Sequence, residues 1–326
     1  MKILVTGGAG YIGSFMVKRL LEKGEDVIVT DSLERGHKEA VDVKAKFYDG
    51  NLQNKEFVSK IFSENKFDAV IHFAGFISMG ESMENPYLYF QNNVFSALNL
   101  MEEMVKTETN NFIFSSSAGV YGNPLKLPIP EDHATNPTNP YGESKLMVEK
   151  IMIWYGKTKN LHTVSLRYFN AAGASLDAEL GERHEPETHI IPKIIYSILR
   201  KENFKLFGTD YQTKDGTCVR DYIHVLDLVE AHVLATERLK NLPGNYVYNV
   251  GTGNGFSNKE VIEMVEKVSG QKAEVQQSPR RPGDADKLIA DSSKIKSELG
   301  FSPKHSDLET IVKTAWQWHK KNENSS

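Results

Sequence analysis

The stretch Lys2-Ile3-Leu4-Val5-Thr6-Gly7-Gly8-Ala9-Gly10-Tyr11-Ile12-Gly13 decides how this chain is read. A β-branched apolar run passes straight into glycines and then into a helical pattern. Gly8, Gly10 and Gly13 form G-x-G-x-x-G, and Gly7, Gly10 and Gly13 form G-x-x-G-x-x-G. In either register glycine permits a tight turn, a close backbone approach to a pyrophosphate and a tight helix–strand contact. The opening turn of the helix offers free N–H groups and a positive dipole end. Three glycines alone also fit a plain turn, so the motif by itself is weak. Its place strengthens it: Asp31 closes the second strand 18 residues after Gly13. A carboxylate there accepts hydrogen bonds from ribose hydroxyls and repels a 2′-phosphate, so NAD is expected over NADP. Arg35, close by, is the opposing signal.

Outward from this motif, short apolar runs alternate with helical patterns. Strands are expected at 2–6, 26–31, 47–49, 69–74, 111–116 and 162–168. Helices are expected at 11–23, 55–64, 86–106 and 140–157. Such alternation implies right-handed βαβ units and a parallel sheet. Runs like KILVT and AVIHFA lack clean alternation, as strands buried on both faces do. After about residue 168 the pattern changes. Residues 171–188 read as loop, 221–238 as helical towards its end, and 246–250 as another strand. The expected architecture is α/β: a doubly wound parallel sheet with a smaller C-terminal α/β domain. The first would span 1–170, with later returns near 221–250, and the second 171–326.

Composition bounds the function. The chain has 326 residues, 40% hydrophobic and 25% charged, which is ordinary for a globular protein. Cys218 is the single cysteine, so an intramolecular disulfide and a cysteine-rich zinc site are excluded. A net charge of −4 predicts no broad attraction to nucleic acid or an anionic membrane. An anionic ligand must then be held by a few local cations. No apolar run approaches the roughly 20 residues of a membrane span, and the N-terminus lacks signal-peptide character. A cytoplasmic location and no resident metal are expected.

Tyr141 and Lys145 form Tyr-x-x-x-Lys on a predicted helix, with Pro140 suited to its first turn. The spacing places both side chains on one face. An ammonium near a phenol favours the phenolate, so a tyrosine pKa below about 10 and a usable base are expected. A second match, Tyr155 and Lys159, lies roughly 21 Å further along the helix at 1.5 Å per residue. That places it away from the carboxyl edge where open α/β sheets bind ligands, so it is read as packing or solvent-facing. Ser115, Ser116 and Ser117 end a predicted strand; a hydroxyl there serves either as a substrate contact or as a helix cap.

The sequence resembles the extended short-chain dehydrogenase/reductases, closest to those members that invert C4 of a UDP-hexose. The resemblance runs through VTGGAGYIGS, VIHFAG with GES after it, FIFSSSAGVYG, NPYGESKLMVE, LRYFNAAGA, DGTCVRDYIHV and RRPGD, over essentially the whole chain. It implies a Rossmann-type fold, a tightly held NAD, and interconversion of UDP-glucose and UDP-galactose through a 4-keto sugar. It implies Tyr141 as base, Lys145 as its tuning cation and ribose contact, and Ser117 on the sugar 4-oxygen. For NAD it implies Gly7, Gly10, Tyr11, Ile12, Gly13, Asp31, Ser32, Leu33, Asn51, Leu52, Phe73, Ala74, Gly75, Asn92, Ser115 and Phe169, with Tyr141 and Lys145. For the UDP-sugar it implies Ser117, Asn170, His189, Lys205, Leu206, Phe207, Arg220, Arg281, Asp284 and Leu288. A homodimer through helices like 86–106 and 140–157 is implied as well.

Four positions depart from the family pattern. Ile77 stands where a lysine follows HFAG, Asn51 replaces the acid of Gly-Asp-Ile/Leu, and His189 replaces a substrate-contacting asparagine. Leu288 stands at the position that gates N-acetylated sugars. It is intermediate in size, so UDP-glucose and UDP-galactose are expected to be preferred over the N-acetyl pair. Three other activities share this fold. A 4,6-dehydratase needs an acid/base pair after the strand-end hydroxyl, and Ala118 and Gly119 supply none. A noncatalytic NAD sensor needs no Ser117, Tyr141 and Lys145 set. A net dehydrogenase would release NADH.

Overall fold

The computed structural model describes residues 1–281 and 284–323. In chain order it begins β1 (Lys2–Thr6), α1 (Tyr11–Glu22), β2 (Asp26–Asp31), β3 (Lys46–Asp49), α2 (Lys55–Glu64), β4 (Ala69–His72), α3 (Met79–Glu84) and α4 (Pro86–Tyr89). It continues with α5 (Ser96–Lys106), β5 (Asn111–Ser115), α6 (Pro140–Lys159), β6 (His162–Tyr168), β7 (Asn170–Ala172), α7 (Ile190–Arg200), β8 (Asn203–Phe207) and β9 (Val219–His224). The last elements are α8 (Val225–Asn241), β10 (Asn245–Val250), β11 (Gly255–Ser257), α9 (Asn258–Ser269), β12 (Glu274–Ser278), β13 (Lys287–Leu288), α10 (Ser293–Leu299) and α11 (Leu308–Glu323).

Seven strands form one parallel sheet in the order β3-β2-β1-β4-β5-β6-β10. β1 and β4 are buried almost throughout, as strands covered on both faces must be. α1 and α8 pack on one face through Phe15, Met16, Leu20, Leu228 and Val229. α2, α5 and α6 pack on the other through Ile61, Phe62, Leu100, Met104 and Val148. β10 joins this sheet beside β6, 77 residues after β6 ends. α8 and β10 thus bring the chain back to the large sheet.

The remaining strands form two smaller sheets. β9 pairs with β7, β11 and β13, and β8 pairs with β12. Ile194, Ile195 and Ile198 of α7 pack with Val261 and Val265 of α9 and with Ile311 and Trp316 of α11.

Two expected elements differ. The single helix expected over 86–106 is interrupted by π-helical turns at Phe90–Phe95. Wide turns of this kind gather at functional sites, and here they carry Asn92 and Asn93. The segment 221–238 is helical towards its end, from Val225, and what the sequence did not show is that Val219–His224 before it is extended and pairs on both sides. His224 Nδ1 then accepts the Leu226 N–H at 3.1 Å and caps α8.

Candidate functional site

One cleft of about 590 Å³ opens along the carboxyl edge of the large sheet. That volume lies in the range of a small-molecule or cofactor site, and the position is the one open α/β sheets use.

The glycine turn forms one end. Gly7 has φ +70°, and a Cβ there would come within 2.5 Å of the Ala74 amide nitrogen. A Cβ on Gly13 would sit 2.1 Å from the Gly7 carbonyl oxygen. Both contacts are with backbone, so no side chain can yield, and the floor stays open to a ligand. Asp31 accepts hydrogen bonds from Ala9 N–H at 3.0 Å and Leu33 N–H at 2.9 Å. Its carboxyl is raised above the usual range by burial, with those backbone donors pulling the other way. Arg35 is paired with Glu81 at 2.7 Å, so the cation that argued for a 2′-phosphate already has an acidic partner.

Gly7, Gly10, Tyr11, Ile12, Gly13, Asp31, Ser32, Asn51, Leu52, Phe73, Ala74, Gly75, Asn92 and Phe169 all line this cleft. Leu33 and Ser115 do not. Leu33 has φ +56° and only its N–H reaches Asp31, and Ser115 lies behind the wall with its hydroxyl on the Tyr168 phenol at 2.9 Å. Asn93, next to Asn92, is buried and donates to Ser144 Oγ at 3.0 Å, tying the π-helical segment to α6.

At mid-cleft, Asn139 caps α6 by accepting the Gly142 N–H at 2.9 Å, with Pro140 in the first turn. This sets Tyr141 on the cleft wall, which Ser117, just beyond the end of β5, also lines. The Ser117 hydroxyl also accepts the Gly119 N–H at 3.0 Å, so it is both a cap and a cleft group. Lys145 is buried behind them, its ammonium donating to the Ser115 carbonyl at 2.9 Å. It lies 4.9 Å from the Phe114 ring centre and 6.0 Å from that of Tyr141. The expected low tyrosine pKa is corrected here: burial raises the Tyr141 phenol, and only the Ser117 hydrogen bond opposes it. Burial also lowers Lys145 to about 8, with the Glu149 carboxylate favouring its charge. For each group desolvation outweighs the interaction that opposes it.

Glu149 and Arg167 went unnoticed in the sequence. They form a buried pair at 2.6 Å. Glu149 also accepts the Ser116 hydroxyl at 2.5 Å, and Arg167 donates to Tyr121 at 3.0 Å. The pair therefore holds the strand end that carries Ser115 and Ser117 against α6. The signal was available: Glu149 lies four residues beyond Lys145, on the same buried face. Tyr155, by contrast, bonds Glu102 and lies off the cleft, and Lys159 is exposed.

The other end of the cleft is lined by Asn170, His189, Arg220, Asp284 and Leu288. Leu288 is the register partner of Arg220 across β13 and β9. The Arg220 guanidinium donates to the Ala285 carbonyl at 2.8 Å and lies 3.6 Å from Asp284. Lys205, Leu206, Phe207 and Arg281 do not line the cleft. Leu206 packs in the core beside Phe204, and Arg281 stacks over the Phe207 ring at 4.2 Å. Pro282 and Gly283 of the RRPGD stretch lie outside the described residues.

The glycine turn, the acidic β2 end and the Ser117, Tyr141 and Lys145 set together define a dinucleotide-dependent short-chain dehydrogenase/reductase type of site. The chain belongs to the NAD dependent epimerase/dehydratase family, whose model matches residues 3–251. It is 49% identical to a UDP-glucose 4-epimerase of Lactobacillus helveticus over 98% of this chain and 97% of that one. A Brucella ovis UDP-glucose 4-epimerase solved with NAD superposes with a TM-score of 0.94, at 43% identity over 97% of both chains. A Campylobacter jejuni UDP-Glc/GlcNAc 4-epimerase superposes with a TM-score of 0.85, at 42% identity over 98% of this chain and 99% of that one.

Proposed function

We propose that the chain interconverts UDP-glucose and UDP-galactose, oxidising C4 to a 4-keto sugar and reducing it again on the other face. The observation that carries this reading is that Ser117 and Tyr141 line one cleft between the glycine turn and Arg220, with the Lys145 ammonium buried directly behind them. The backbone floor at Gly7 and Gly13 and the Asp31 carboxylate fit NAD, which would supply the hydride acceptor and donor. Tyr141 removes the 4-hydroxyl proton and later returns it, while Ser117 bonds the 4-oxygen. Because burial disfavours the phenolate, its formation relies on the Lys145 ammonium, held in place by the Ser115 carbonyl. Arg220 suits the pyrophosphate, since a planar guanidinium binds such oxygens two at a time.

In this reading residues 1–170, with β10, hold NAD, and the remainder holds the UDP-sugar. Leu288, packed between Arg220's strand and the Phe169 cluster, favours the non-acetylated pair. The relationship to a UDP-Glc/GlcNAc 4-epimerase supports a second, weaker activity on the N-acetyl pair. We also read the chain as a cytoplasmic homodimer. Exposed Met83, Tyr87 and Phe95, with Met147 and Trp154 on α6, supply an apolar surface for the partner, and no helix among the described residues is long and apolar enough to cross a membrane.

The test is to incubate purified protein with UDP-galactose and no added NAD. UDP-glucose should form without free NADH accumulating. Accumulation of stoichiometric NADH, or equal turnover of the N-acetyl pair, would refute the respective part of the reading.

A further inference from the structure

A second group of side chains converges in the segment between β7 and α7, where His184 and His189 also line the cleft. Glu182, His184, Glu187 and His189 each offer one ligand atom, and these atoms lie within 4.8 Å of one another. The Glu182 and Glu187 side chains are 3% and 9% exposed. Among the described residues their ion pairs are with the two histidines alone. Two carboxylates buried together are costly unless a cation joins them.

Hydrogen bonding leaves this group incomplete. Glu187 Oε2 and His189 Nδ1 are buried with no well-formed hydrogen bond. His189 Nδ1 lies 2.5 Å from Glu182 Oε1 but not in bonding alignment. The other three His–Glu separations are 3.1 Å for His184 Nδ1 to Glu182, 3.5 Å for His189 Nδ1 to Glu187 and 3.9 Å for His184 Nδ1 to Glu187. The last two are long for hydrogen bonds. Ligands about 2.0–2.1 Å from a tetrahedral ion lie roughly 3.3 Å from one another, which is the spacing these atoms bracket.

We propose that Glu182, His184, Glu187 and His189 bind one divalent transition-metal ion of the zinc class. Two neutral imidazoles and two carboxylates balance its charge, and imidazole nitrogen with carboxylate oxygen suits such ions. The ion is a clamp in this segment. The His184 ring stands edge-on to Tyr11 at 6.2 Å, and Tyr11 donates to the Gly173 carbonyl at 2.6 Å. Trp318 of α11 donates to the Glu182 carbonyl at 3.1 Å, and His189 leads into α7. Binding fastens the start of α1, the 173–189 segment and two helices of the smaller part together.

The experiment uses full-length, tag-free protein stripped with a chelator, dialysed, and titrated with zinc against a chromophoric indicator. Elemental analysis after gel filtration should give one zinc per chain, and zinc should raise the melting temperature. Glu187→Gln and His184→Ala should each weaken binding by more than about 100-fold and abolish that rise. Far-UV circular dichroism and retained NAD establish that the variants are folded. Should His184→Ala not fold, the isosteric Glu187→Gln decides. Cobalt added to the wild type should give the intense visible bands of a four-coordinate site. Zinc that is not retained, zinc bound equally by wild type and Glu187→Gln, or a cobalt spectrum of the hydrated ion would each overturn the proposal. The alternative occupants, two protons making imidazolium–carboxylate pairs, would give those results.

Discussion

The two ends of the cleft are built by different means. At the nucleotide end the wall comes from the tips of successive βα units: Gly7 to Gly13 after β1, Asp31 at the end of β2, Phe73 to Gly75 after β4. Each group is placed by its own strand and the turn that follows it. At the sugar end, Asn170, His189, Arg220 and Leu288 come from segments spread over more than 100 residues. They meet because β7 and β13 both pair with β9. The first wall is thus specified by local turn geometry and the second by long-range register. Tyr141 sits where the two meet.

Breaking the junction should have the largest effect. Tyr141→Phe is expected to lower kcat roughly 10²–10⁴-fold, the usual worth of a positioned proton-transfer group, while NAD stays bound. Steady-state turnover and the absorbance of the purified protein check both halves of that outcome; full activity would remove Tyr141 from its role.

Beneath the junction, Glu149→Gln leaves the buried Arg167 guanidinium without its carboxylate. Losing one partner of a buried pair costs about 3–5 kcal/mol, to be read from urea unfolding. An unchanged midpoint would mean that the strand end is held by packing alone.

Gly13→Ala attacks the nucleotide wall only. The methyl meets the Gly7 carbonyl, and the backbone has to shift at about 1–3 kcal/mol. We expect purified protein that has lost its NAD but still folds, as measured by nucleotide content and circular dichroism. Arg220→Lys attacks the sugar wall only, and is expected to raise KM for the UDP-sugar about tenfold with little change in kcat. If it also lost NAD, the two walls would not be separable.

Legibility followed the same division. KILVTGGAGYIG and Asp31 placed the first strand, turn and helix, and all of the early strands stand close to where periodicity put them. The π-helical turns at Phe90–Phe95 were hidden because their composition is that of an ordinary helix. Val219–His224 was hidden because VRDYIHV is followed at once by a helix, and its strand partners are far away in sequence. Arg220 and Asp284 were found and do line the cleft. Arg281 and Phe207, expected on the same grounds, stack on one another outside it. Glu182, His184, Glu187 and His189 sit within eight residues of sequence, yet their spacing fits no regular helix or strand face.

The glycine turn, the parallel α/β architecture and the Tyr-x-x-x-Lys pair could be read along the chain, because each depends on neighbours within a few residues. The charge state of those residues, and the distant ones that join them, come from packing. Burial of Tyr141 and Lys145 reverses the pKa shift that their spacing alone predicts, since desolvation depends on everything packed around a group. Strand register likewise decides that Leu288 faces Arg220, and that choice has no local signature.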